Sequence, residues 1–105
     1  MSLNMVSNYE NNNDIWTVKL SGELDISSSE DLTRELNSDI DKKISDIKLD
    51  MSNLDYIDST GIGAVVVAMK RLKENNKEIY IYNAKDNVKK IFRITGLDQI
   101  IRMEG

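Results

Sequence analysis

The chain has 105 residues, enough for one domain core and too few for two. Its 40% apolar and 30% charged residues are those of a folded protein, and a net charge of −4 with a pI near 4.8 excludes broad electrostatic affinity for nucleic acid or an anionic membrane. Cysteine and histidine are both absent, which removes disulfides, thiolate nucleophiles, Ser-His-Asp catalysis and imidazole metal sites. No run approaches the roughly 18 apolar residues of a membrane span, and no charged start leads into an apolar signal stretch, so the cytoplasm is the expected compartment. Met1 to Leu3 and Glu104-Gly105 are set aside as additions, which leaves residues 4–103 as a single domain.

Met5 to Tyr9 is a first strand, and Glu10 to Asp14 a polar connection. From Ile15 to Leu20, Trp16, Val18 and Leu20 alternate with Thr17 and Lys19, the period of a strand with one buried face. Ser27 stands three residues before Glu30, the spacing of a capping box, and predicts a helix start. Leu32, Leu36, Ile40 and Ile44 then recur in steps of four, an apolar stripe along about four turns. Ile47, Leu49 and Met51 alternate with Lys48 and Asp50 in a further strand, which is expected to end in a polar loop at Ser52-Asn53-Leu54-Asp55. From Ser59 the spacing of Ile62, Val65, Val66, Met69 and Leu72 is helical, in spite of three consecutive valines, and Asn75-Asn76 is the stop. Ile79 to Tyr82 is a short strand. Val88, Ile91, Phe92 and Thr95 trace a third helix closed by Gly96, and Ile100 to Met103 forms a last strand. The order ββαβαβαβ predicts an α/β fold, a mixed sheet of four to five strands with an antiparallel opening pair and helices packed on it.

The informative stretch runs from Asp50 to Gly63, where a strand end passes into a helix start. The carboxyl ends of strands and the free N–H groups of a helix start are favoured binding positions in open α/β sheets. By themselves Asp58-Ser59-Thr60-Gly61 are satisfied by helix capping, through Asp58 or Ser59, with Gly61 and Gly63 permitting close packing. Gly22-Glu23-Leu24-Asp25, Asp50-Met51-Ser52, Tyr56-Ile57-Asp58-Ser59-Thr60-Gly61-Ile62-Gly63 and Ile94-Thr95-Gly96-Leu97 occur together and in this order. In that combination the chain resembles the anti-sigma factor antagonists of the STAS domain family, over nearly its whole length.

The resemblance implies that Ser59 is the phosphorylated serine. Its kinase is a partner that is also an anti-sigma factor, which the unphosphorylated protein binds so as to release a sigma factor. A PP2C-type phosphatase would reverse the modification. Asp25 matches the aspartate of the family's Gly-Glu-Leu-Asp motif, and the expected docking residues are Asp25, Asp58, Ser59, Thr60, Gly61 and Ile62. Ile57 and Val66 are candidates for apolar contact or for core. Many family members continue into a closing helix beyond the position of Leu97.

Neither catalysis, a cofactor, a metal, nucleic acid nor a membrane enters this expectation. A serine nucleophile would need Lys70 or a carboxylate as its base, and no Gly-x-Ser-x-Gly elbow is present. A phospho-acceptor aspartate module is the alternative built on Asp50, Asp55 and Asp58, although Asp25 alone does not make the acidic doublet of receiver domains. A STAS domain serving another signalling assembly or a transporter is the other. Lys85, Lys89, Lys90 and Arg93 read as a solvated helix face.

Overall fold

The computed structural model describes residues 3–105, which form one five-stranded mixed sheet and three α-helices. The strands β1 (Leu3–Glu10), β2 (Ile15–Leu24), β3 (Asp46–Ile57), β4 (Ile79–Tyr82) and β5 (Arg102–Glu104) lie side by side in chain order. Only β1 and β2 are antiparallel, and the remaining pairs are parallel. The helices α1 (Ser29–Lys42), α2 (Ser59–Lys73) and α3 (Asp86–Ile94) are the crossovers that parallel neighbours require. The sheet takes in Leu3 and Glu104, one residue beyond the 4–103 span at each end.

Alternation along the strands decides where the core sits. Trp16, Val18 and Leu20 of β2, Ile47, Leu49 and Met51 of β3, and Ile79 and Ile81 of β4 are buried, while their sequence neighbours Thr17, Lys19, Lys48, Asp50, Tyr80 and Tyr82 are not. Because register partners share a face, the core lies on one side of the sheet, against Leu32, Leu36 and Ile40 of α1, Val65, Met69 and Leu72 of α2, and Val88 and Phe92 of α3. The opposite side stays open and polar, with the Lys48 ammonium 4.2 Å from the centre of the Tyr82 ring. Burying a leucine or phenylalanine contributes about 2–3 kcal/mol, so this single face supplies most of the drive to fold.

Several expected details change. Residues 52–55 are not a loop, because β3 continues past Met51 to Ile57 alongside β2, which itself continues past Leu20 to Leu24. Two register shifts, between Lys19 and Ser21 and between Gly22 and Glu23, each give β3 one extra residue against β2. The buried positions of β3 consequently fall at Met51, Leu54 and Ile57, a spacing of three that hides the strand period. Gly22 sits at the second shift with φ 103°, a conformation that a side chain would strain. The capping box does not form either. The N-cap of α1 is Ser28, and Ser27 turns its N–H and hydroxyl to the Asp25 carboxylate instead. Ile44 lies beyond the end of α1 and is 45% exposed, outside the apolar stripe it was assigned to.

Candidate functional site

The prolonged β2 and β3 carry two turns to the same end of the sheet, at the carboxyl ends of the two strands. Leu24 pairs with Ile57, and the Asp58 N–H donates to the Leu24 carbonyl at 3.2 Å, so the turn after β2 and the start of α2 are stitched together by backbone. Their approach depends on Gly61. A Cβ there would lie 2.6 Å from the Leu24 Cγ and 2.9 Å from the Leu24 carbonyl oxygen. Asp25, next after Leu24, thereby comes to the same end as Asp58 and Ser59.

Asp58 is the N-cap of α2. Its Oδ1 accepts from the N–H groups of Thr60, at 3.0 Å, and Gly61, at 3.3 Å, and from the Thr60 hydroxyl at 2.6 Å. Ser59 is therefore the first helical residue rather than the cap. It is exposed, and among the described residues no side-chain hydrogen bond engages its hydroxyl. Thr60 is half-buried and committed to Asp58, which separates two adjacent hydroxyls that the sequence left side by side.

Asp25 is held in a comparable way. The hydroxyl and N–H of Ser27 donate to its Oδ1 at 2.6 and 2.9 Å, and Ser28 approaches at 3.4 Å. The Ser27 hydroxyl first, then the backbone N–H of Ser27 and the hydroxyl of Ser28, keep this carboxyl below the usual carboxylate range, against the opposing effect of desolvation. Buried Ser28 fixes the turn by accepting from the Asp25 N–H at 3.1 Å and donating to the Glu23 carbonyl at 2.8 Å. Asp55 is paired with Lys85, while Asn87 donates to the Asp55 carbonyl at 2.9 Å, which ties the start of α3 to the segment before Ser59.

Asp25, Asp58, Ser59, Thr60 and Gly61 come together at this end of the sheet. Ile62 does not reach the surface: it is 7% exposed and packs in the core with Ile57, while Val66 is half-buried. The exposed apolar side chains here are instead Ile26 in the turn after β2, at 78%, and Tyr56 at the end of β3, at 46%. The sequence offered little sign of either, since an isolated apolar residue in a turn and one in a polar strand end carry no periodic signal. Gly63 was expected to pack closely, yet a Cβ there would meet nothing within 4 Å. It is an open position one helical turn beyond Ser59, on the same flank of α2. Asp50, Asp55 and Asp58 have separate occupations, Asp50 accepting from the Ser52 N–H at 3.0 Å, and among the described residues no three acidic side chains gather as a metal site.

The STAS domain family model matches residues 7–105. The chain belongs to the STAS domain family. Two sequence relatives of this STAS domain bear the name anti-sigma-B factor antagonist. One, from Staphylococcus aureus, is 35% identical over 84% of the chain and 82% of the relative. The other, from Staphylococcus epidermidis, is 32% identical over 86% and 83%. Among solved structures, the unphosphorylated anti-sigma factor antagonist SpoIIAA superposes with a TM-score of 0.75 at 19% identity, over 97% of this chain and 87% of that one. The phosphorylated Bacillus SpoIIAA gives 0.74 at 21% identity, over 95% and 90%. At such identities the superpositions show that the STAS fold is shared.

Proposed function

We propose that this STAS domain is an anti-sigma factor antagonist, itself without enzymatic activity, that works in the cytoplasm. Unphosphorylated, it binds an anti-sigma factor that is also a serine kinase and so frees a sigma factor. Phosphorylation of Ser59 ends that binding, and a PP2C-type phosphatase restores it. The observation that carries this reading is the contrast at the start of α2, where the Ser59 hydroxyl is exposed and unengaged while its neighbour Thr60 is bound to the cap. The names of the sequence relatives support the same role. Asp25, Asp58, Ser59 and Thr60 are the polar docking surface, Ile26 and Tyr56 extend it with apolar contact, and buried Gly61 and Ile62 hold its shape from beneath.

The cap also explains how a phosphate would act. The N–H groups of Thr60 and Gly61 are already taken by Asp58, so a phosphate on Ser59 finds its helix start occupied and a carboxylate beside it. Its charge of about −1.5 to −2 is then presented outward, next to Asp25 and Asp58, to whatever docks there. A loss of about 3 kcal/mol at such a contact is a hundredfold change in affinity, sufficient for a switch.

Recovery of the protein from cells with its partners, and mass spectrometry of the modified peptide, test the reading. The phosphate is expected on Ser59, Ser59→Ala retains the kinase partner, and Ser59→Asp loses it. Equal binding by all three forms would sink the switch.

A further inference from the structure

The two edges of the sheet are guarded very differently. The outer edge at β5 is three residues long and bears Arg102 and Glu104, the brevity and charge by which proteins prevent edge-to-edge pairing. The outer edge at β1 has eight residues in unbroken register with β2, without proline, lysine, arginine or a bulge, and its single charge, Glu10, comes last. Among the described residues no backbone hydrogen bond joins β1 to any element other than β2.

We propose that β1 pairs antiparallel with β1 of a second copy of this chain, giving a continuous ten-stranded sheet across a two-fold axis at Val6. Strand pairing demands that opposed residues share a face, and a two-fold through a residue meets that demand automatically. Val6, 56% exposed, then faces Val6 of the second copy, and Asn4 faces Asn8 on the open side. On the helix side Met5 faces Ser7 and Leu3 faces Tyr9, so no charged pair is opposed along the seam. Beside this edge the flank of α1 is lined by Asp31, Arg34, Glu35 and Ser38, with Arg34 already paired to Asp31 of its own chain, so the pairing rests on the strand itself. A seam of one strand pair lies below the ~1,200 Å² of a standard interface, so the dimer is weak and concentration-dependent.

The chain lacks cysteine, which permits a direct test. In sedimentation velocity from micromolar to millimolar concentration, the wild type is expected to shift from monomer to dimer. Val6→Lys sets two ammonium groups against each other at the axis and is expected to weaken the dimer about tenfold or more, with an unchanged circular dichroism spectrum. Val6→Cys is expected to cross-link with itself under mild oxidation far faster than Val67→Cys, at an equally exposed site on α2. A wild type that stays monomeric throughout, or equal cross-linking rates at the two positions, would overturn the proposal.

Discussion

Gly61 and Gly63 are two residues apart and answer to different demands. At Gly61 a methyl group would collide with the Leu24 backbone as well as its side chain, so Gly61→Ala is expected to cost about 1–3 kcal/mol in urea unfolding and to disturb the Asp25 turn. At Gly63 the fold asks for nothing, and glycine inside a helix costs about 1 kcal/mol against alanine. Gly63→Ala is therefore expected to stabilise the free domain by about 0.5–1 kcal/mol while weakening the kinase partner in a pull-down. Unchanged partner affinity would show that the bare position serves no docking. Asp39 of α1 presents a separate matter. It is 1% exposed, its Oδ2 accepts from Ser7 at 2.8 Å, and its Oδ1 has no partner among the described residues. Burial, aided by neighbouring Glu35 and opposed by Ser7 and Lys42, raises its carboxyl from 3.8 to about 6. Since the folded form holds the proton more tightly, the stabilisation is complete below pH 3.8 and is lost as pH rises through about 6. Asp39→Asn is expected to flatten that dependence and to raise stability at pH 7 by on the order of 1–2 kcal/mol in denaturant titrations.

The turn between β2 and α1 shows how an element boundary shapes the site. Sequence spacing favours Ser27 and Glu30 as a capping pair, but the chain uses Ser28, whose hydroxyl bridges the Asp25 N–H and the Glu23 carbonyl. Asp25 is thereby free to take Ser27 as its own partner. Ser28→Ala leaves both backbone groups without that hydroxyl and is expected to cost about 1–2 kcal/mol, with faster amide exchange at Asp25 to Ser27. Protection equal to the wild type in that turn would count against the bridge. The end of β3 follows the same logic, because two bulges against the shorter β2 replaced its period of two by a spacing of three. A pattern search reads such a segment as loop. By contrast α2, with its valine run, obeyed its helical spacing: Val65 is buried, Val66 half-buried and Val67 exposed.

For the molecule as a whole, the arrangement separates the packed core from the proposed switch. The core occupies one face of the sheet, whereas Asp25, Asp58 and Ser59 lie at one end of it, outside the packed side chains. A negative charge at Ser59 adds to a chain already at −4 without touching that core. Ser59→Asp is accordingly expected to keep its midpoint of thermal unfolding within about 3 °C of the wild type, as surface substitutions usually do, while its partner affinity falls about a hundredfold. A large drop in the midpoint would point to a conformational switch in place of an electrostatic one.

Alternation along β2 and β4, the stripes of α1 and α2 and the Gly96 stop of α3 are all local or periodic, so the element order and the fold class were legible in the sequence, and the motif around Ser59 marked the proposed site. The sequence could not decide what depends on neighbours distant in the chain. Which side chain caps α2, which serine fixes the Asp25 turn, whether residues 52–55 are strand, and whether Ile62 lies at the surface or in the core were settled only when β2 and β3 lay side by side. The physical reason is that a side chain takes its role from the best partner within reach. Tertiary pairing brought Leu24 to Asp58 and Gly61 across a separation that no local pattern spans.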